Sequence, residues 1–562
     1  MLDIGIDNIY SVTTMYVDTS TSQGKYVRYL LRENYRENGK IKHRTIANIS
    51  RCSDEEIEAI RLALKHKKDL SSLVSLSDGV SLCQGLSVGA VWLVYDIARQ
   101  LGITKALGPS RQGKLALWQI IARVIDQGSR LSAVRLAGSH AACDILALDI
   151  FNEDDLYANL DWLYTKQAVI EKRLLKQTYP DKRPELFLYD VTSSYLEGTC
   201  NELGAFGYNR DKKKGKKQIV IGLLCDEIGR PISIEVFAGN THDTGTFANQ
   251  IRKVADRFGG GEVTFVGDRG MIKGHQVKDL LGHGFHYITA ITKPQIDTLL
   301  AKGTIQMGLF DKEIAEVEDN SGIRYILRRN PIRAGEIQQS RNSKLKSLEH
   351  AVRKQNTYLT EHPRAHLDVA VRKVEDYSRK LRISKWIMLS VSERRISLTI
   401  DQDCLDEQTK LDGCYVIKTD LNKQVANKKI IHDRYKDLAL VEWAFRTSKT
   451  VELELRPINV RLANRTRGHA FVVMLAYRIV KELAERWSEI DLTVSEGIEE
   501  LSQLCATAMK VKGKPLCNKI PEPRESLSKL LKAANVKLPE ALPCSGIKVA
   551  TRKKLTERRK FR

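Results

Sequence analysis

Ten cysteines are scattered along 562 residues with no C-x-x-C pair. That spacing argues against a zinc site or a disulfide framework and fits a reducing cytoplasm, the expected location. No apolar stretch approaches the ~20 residues of a membrane span; IVIGLLC at 219–225 has strand length. The opening MLDIGIDNIY carries two aspartates and no long apolar run, so a secretory leader is not expected. Acidic residues are outnumbered: 69 Asp+Glu face 91 Lys+Arg, a formal charge of +22. A balance of that sign points to an anionic polymer or surface as partner. No internal repeat is visible.

The length allows roughly three or four domains and a large core. Residues 1–52 are expected to hold a β-hairpin, because YVRYLLRENY and IKHRTIANI alternate around Asn38-Gly39. Residues 53–183 read as helical. Ser53-x-x-Glu56 is a capping box opening a helix through about Lys67, and helices are predicted at 87–101, 114–136 and about 155–177. With Arg123, Arg130 and Arg135, this part is a candidate for DNA binding or dimerisation. After Pro184 the pattern changes. LFLYD (186–190) and VTFVGD (263–268) are short apolar runs ending in aspartate; QIVIGLLC, PISIEVFA and HYITAIT are further strands. With helices at 244–258 and 272–281, this order predicts an α/β fold, a mixed sheet flanked by helices. It occupies 184–293 and resumes at 416–490. Residues 294–415 interrupt it as an inserted, Lys- and Arg-rich subdomain, and 491–562 read as a basic C-terminal tail, expected to be mobile from Lys510.

The segment His432 to Lys449, HDRYKDLALVEWAFRTSK, reads as one unbroken helix that Asp433 can cap. At about 100° per residue, Tyr435, Glu442, Arg446 and Lys449 share one stripe, beside an apolar stripe of Leu438, Val441 and Phe445. Aspartates at the C-terminal ends of neighbouring strands meet at one sheet edge. Asp190 and Asp268 hold such positions, and Glu442 is the third carboxylate. Three carboxylates on one point repel one another unless a cation lies between them. Oxygen ligands without Cys or His select Mg²⁺ or Mn²⁺. Two such ions activate a water or a 3′-hydroxyl and stabilise the leaving oxygen during displacement at phosphorus. Taken singly, a strand-end aspartate is more often a turn or cap residue, and a charged helix an ordinary surface helix. The weight comes from three carboxylates together, in this order of elements, in a basic chain.

LFLYDVTSSYLEG, VTFVGDRGM and DGCYVIKTDL followed by YKDLALVEWAFRTSKTVELELRPI resemble, in order, the three acidic segments of DDE transposases of bacterial insertion sequences, the insertion-sequence-four group and its relatives. The likeness runs from about Tyr26 to Trp487. That group's signature places Tyr, then Arg, Glu and Lys; Tyr435, Glu442 and Lys449 fit, while the Arg position holds Leu438, with Arg446 one turn past Glu442 as a substitute. The resemblance implies an RNase H-like core with a β-rich insertion before the glutamate. It implies Asp190, Asp268 and Glu442 as catalytic metal ligands for Mg²⁺ or Mn²⁺, two ions in all, and Tyr435 and Lys449 as phosphate holders. It also implies cleavage of double-stranded DNA at terminal inverted repeats and joining of 3′ ends to target DNA. Two ends must be held together for joining, so a homodimer on DNA is expected, and the lack of a long apolar run leaves no membrane role expected. Further DNA contacts are expected from Arg269 and from the loop carrying Arg210, Lys212, Lys213, Lys214, Lys216 and Lys217, although such lysine runs are usually solvated turns. Two other readings remain: a nuclease on the same core, which would cut without joining, and a transposase-derived DNA-binding protein that has lost catalysis.

Overall fold

The computed structural model describes residues 14–22, 26–37, 39–67, 80–181, 184–208, 210–211, 213–255, 263–449, 453, 455–456, 458–511, 514–543, 545–549 and 551. Helices of eight residues or more are numbered below in chain order. The chain divides into two units, 1–85 with 507–519, and 86–506 with 520–562.

In the first unit, β1 (Thr14–Ser22), β2 (Tyr26–Glu37) and β3 (Lys40–Asn48) form an antiparallel sheet in that order. The β2–β3 turn uses Gly39 at φ 76°, a left-handed conformation that suits glycine. Helix α1 (Asp54–Lys65) opens with the expected capping box, Ser53 and Glu56 bonding each other's backbone N–H. The strands β4 (Val80–Ser87), β15 (Cys505–Val511) and β16 (Lys514–Lys519) are paired in a further sheet.

The second unit is built around an eight-stranded sheet: β5 (Leu186–Tyr195), β6 (Gln218–Cys225), β7 (Pro231–Ala238), β8 (Thr264–Gly267), β9 (His286–Ala290), β10 (Ala315–Glu318), β11 (Arg324–Arg329) and β14 (Cys414–Thr419). Their order is β10-β11-β14-β9-β8-β5-β6-β7. β5, β8 and β9 are parallel neighbours, and β6 runs antiparallel to both β5 and β7. In the sequence order of the first five strands this is 3-2-1-4-5 with the second strand reversed, the RNase H-like arrangement. Every residue of β6 is buried, which is why that strand reads as an unbroken apolar run. Along β5 the side chains alternate: Leu186 and Leu188 enter one core, and Phe187, Tyr189 and Val191 enter a second with Phe247, Phe265 and Phe285.

Helices cover both faces. α2 (Gly89–Gln100), α3 (Arg111–Ile125), α4 (Arg130–Ser139) and α5 (Glu153–Thr178) precede the sheet, and α6 (Asp243–Lys253), α7 (Gly274–Gly282) and α8 (Lys293–Ala301) lie between strands. The predicted helix over 114–136 is two helices. The chain breaks at 126–129, where Ser129 caps α4 and Asp126 accepts from Ser132. Between β11 and β14 run α9 (Pro331–Glu361), α10 (Leu367–Leu381), the hairpin β12–β13 (Ile387–Ser392, Arg395–Ile400) and α11 (Gln402–Thr409). The strands of the predicted insertion are thus divided: β10 and β11 extend the main sheet, and most of the remainder is helical. After β14 come α12 (Lys428–Lys436), α13 (Leu438–Lys449), α14 (Ala463–Arg486), α15 (Val494–Ser502) and α16 (Glu525–Ala533). α14 is buried along nearly its whole length and packs on α3, α5 and β7. A Cβ at Gly468 would stand 2.2 Å from the Leu160 carbonyl oxygen, so glycine permits the α14–α5 approach. The predicted tail is ordered through much of its length, with Leu527, Leu530 and Leu531 of α16 buried; TRKKLTERRKFR, apart from Thr551, lies outside the described residues.

Candidate active site

The register of β5 and β8 positions the first two carboxylates. Tyr189 pairs with Gly267 across these parallel strands. Asp190 and Asp268 each follow that pair by one residue, on strands about 4.8 Å apart, and so emerge together at one sheet edge. Asp190 shares the strand face of Leu188, whose core also takes Val441, Ala444 and Phe445 of α13. Docking that apolar stripe on β5 brings Glu442, on the exposed flank of α13, toward the same edge.

Asp190 forms the inner part of the site, while Asp268 and Glu442 are exposed at its rim. Burial foremost, with Asp268 and Glu442 adding to it, pushes the Asp190 carboxyl up to about 7 against the opposing Val191 N–H and Arg210 guanidinium. Each aspartate accepts a backbone N–H from the residue after it, Val191 at 2.8 Å and Arg269 at 2.7 Å. Among the described residues, no three His, Cys, Asp or Glu side chains are drawn together closely enough to cage an ion. An all-oxygen set still fits Mg²⁺, which is commonly held by one or two carboxylates together with substrate phosphates rather than by a protein cage.

The segment predicted as one helix is two. It starts at Lys428, capped by Asn427 rather than Asp433, and breaks at Asp437 before α13 begins. Tyr435 and Glu442 therefore sit on successive helices, and Tyr435 reaches the site across the break, its hydroxyl donating to Asp268 Oδ1 at 3.3 Å. Burial and the Asp268 carboxylate both raise the Tyr435 phenol. Leu438, at the signature's arginine position, is buried in the core. Arg446 is exposed and lies 5.8 Å from the ring centre of Trp443, itself exposed.

Lys449 is not at the surface. Its ammonium donates to Thr192 Oγ1, to the Ser193 carbonyl and, at 3.2 Å, to Asp211 Oδ1. Burial lowers its pKa and Asp211 opposes that. The three donors of an ammonium thus have three protein acceptors. Asp211, with a side chain 3% exposed, also accepts from Arg456 at 2.6 Å and from the Tyr195 N–H at 3.1 Å. Sequence reasoning passed over this aspartate because it is embedded in a run of basic residues.

The basic loop is only partly available to a ligand. Arg210 gives one Nη to both oxygens of Asp243 at 2.8 Å. Lys216 pairs with Glu197 at 3.0 Å, Lys217 donates to the Thr199 carbonyl at 3.3 Å, and Lys213 lies over the Tyr195 ring. Lys214 is exposed, as is Arg269. Lys212 lies outside the described residues. No described helix is long and apolar enough to cross a membrane.

Two family models match the chain. A model of the N-terminal domain of IS1634 family transposases matches residues 17–74, and a model of the transposase DDE domain matches residues 181–479. No curated protein matches the chain. Among solved structures, a cryo-EM piggyBac transposase synaptic complex with hairpin DNA is similar over 75% of this chain and 70% of that chain, at 9% identity and a TM-score of 0.32.

Proposed function

Because this chain belongs to the DDE transposases, we propose that it cleaves double-stranded DNA at the terminal inverted repeats of its own insertion sequence and joins the 3′ ends to target DNA. Asp190, Asp268 and Glu442 are the residues that would hold divalent metal, Mg²⁺ or Mn²⁺, together with DNA phosphates. When bound, the metal supplies an activated water or 3′-hydroxyl and charge stabilisation at phosphorus. The remaining roles fall to the chain itself. The Tyr435 hydroxyl orients Asp268, Lys449 anchors the β5 end that carries Asp190, and Arg269 and Arg446 meet the DNA backbone at the rim. Two ends must be held together for joining, so the working unit on DNA is a homodimer, in the cytoplasm.

The single observation supporting this reading is the register Tyr189↔Gly267, which sets Asp190 beside Asp268 where the glutamate helix docks. The test uses a plasmid carrying the element's ends. In Mg²⁺, the wild type is expected to release cut ends and joined products. Asp190→Asn should bind the same DNA with unchanged affinity yet cut none of it; a variant that still cuts would place the metal elsewhere. Cutting without any joined product would favour a nuclease.

A further inference from the structure

Between β11 and β14 the chain leaves the sheet and builds a small body of its own. Its core is drawn entirely from residues 345–405: Leu348, Val352 and Leu359 of α9, Ala370 and Val374 of α10, then Ile383, Trp386 and Ile396. Residues 331–400 hold fifteen Lys and Arg against seven Asp and Glu, so an eighth of the chain carries over a third of its net charge. No role in the active site uses this charge.

Part of it converges. Arg353 of α9 and Arg394 and Arg395 of the β12–β13 hairpin line one open cavity of about 650 Å³, with Asn356, Thr357 and Thr360 as neutral hydrogen-bonding groups and Glu393 at the edge. The three arginines are exposed, and among the described residues none forms an ion pair. Arg394 is held in place by a bond to the Ala365 carbonyl at 2.9 Å.

The hairpin turn adds an independent observation. Ser392 pairs with Arg395, so Glu393 and Arg394 form a two-residue loop, with φ of 48° and 62°. Loops of this type favour Asn-Gly, because left-handed backbone strains a residue with a side chain. A charged pair occupies the turn instead, and such strain persists where function holds it.

We propose that this cavity is a second DNA-binding site, in which Arg353, Arg394 and Arg395 each neutralise one of a run of backbone phosphates of duplex DNA away from the catalytic carboxylates. The proposal rests on the transposase reading for the identity of the anion. Forked guanidinium donors suit phosphate oxygens, and the surrounding positive charge favours a polymer over a single small anion. The site adds affinity and register on the duplex and reads no sequence.

The test is binding of the full chain to a labelled DNA duplex by fluorescence anisotropy, as a function of salt. Each arginine–phosphate contact contributes about 0.9 to the slope of log K against log salt. Arg353→Ala, Arg394→Ala and Arg395→Ala together should lower the slope by about 2.5 and weaken binding at least tenfold at about 0.15 M salt. Replacement of the three by lysine should restore most of the slope. The pair Glu393→Asn and Arg394→Gly suits the turn better than the native residues, so the hairpin stays folded while one guanidinium is lost; about 0.9 of slope should go with it. Slopes equal to wild type in the folded alanine and Asn-Gly variants would overturn the proposal. If those variants match wild type while the wild type still cuts element ends, only this site fails; a wild type that neither binds nor cuts DNA sinks the transposase reading as well.

Discussion

Lys449 invites a decisive perturbation, because family resemblance assigns it to phosphate while the structure spends its donors on protein. Lys449→Met removes the ammonium and leaves Asp211, 3% exposed at its side chain, with Arg456 and the Tyr195 N–H. Breaking a buried pair by removing one partner costs about 3–5 kcal/mol. Since Arg456 remains on the carboxylate at 2.6 Å, the lower end, about 3 kcal/mol, is expected. Asp211→Asn should cost about as much, and the double variant about 1–3 kcal/mol less than the two losses summed, because the same contact is removed twice. Urea unfolding and amide exchange along β5 measure these losses. Cleavage should fall in parallel in both single variants, as the end of the strand carrying Asp190 loosens. The discriminating readout is the salt dependence of DNA binding. A lysine on a phosphate contributes about 0.9 to the slope, whereas a lysine held by Thr192, Ser193 and Asp211 contributes nothing. A slope reduced by about one in Lys449→Met, with strictly additive losses in the double variant, would refute the reasoning.

Three further outcomes follow from packing, titration and capping. Gly468→Val places its Cβ 2.2 Å from the Leu160 carbonyl oxygen, so α14 must move off α5; a loss of about 3 kcal/mol or more is expected in urea unfolding. His469 is buried, its Nδ1 facing Arg130 Nη2 at 2.7 Å, and burial together with Arg130 and Arg123 holds its pKa well below the ordinary value. The folded state therefore keeps it neutral while the unfolded chain binds a proton below about pH 6.5, so its stabilising contribution is complete above that pH. That contribution is lost as pH falls, with a slope of up to about 1.4 kcal/mol per pH unit. His469→Gln should remove this part of the acid sensitivity, and an unchanged pH profile would contradict it. Ser53→Ala removes the cap of α1 and should destabilise that helix by about 1 kcal/mol, detectable as faster amide exchange over 54–58.

The sheet was largely legible in the sequence because its central strands are buried on both faces and appear as apolar runs bounded by turns. Asp190 and Asp268 stood out for the same reason, being charges at the ends of such runs. The break at Asp437 was not legible. Nothing in HDRYKDLALVEW forbids a continuous helix, and tertiary packing sets the two axes. Charge composition masked α16: SLSKLLKAA is amphipathic, but a count of basic residues across 491–562 conceals the stripe of Leu527, Leu530 and Leu531. Asp211 shows the limit from the other side. Its partners Lys449 and Arg456 are more than two hundred positions away in sequence, so only the fold reveals that a carboxylate in a lysine-rich loop closes a buried charge network.

The two ends of the excursion from the sheet lie side by side. Arg329 and Cys414 are opposed on antiparallel neighbours, and the Asn330 N–H bonds the Gly413 carbonyl at 2.8 Å. For the pairing of β11 and β14, residues 331–410 are equivalent to a hairpin turn, while Leu411 packs in the core beside Tyr325 and Leu327 and Asp412 faces Lys293 at 3.5 Å. Shortening that stretch to a few residues would leave the strand pairing of β11 and β14 unaltered and the carboxylates in their places.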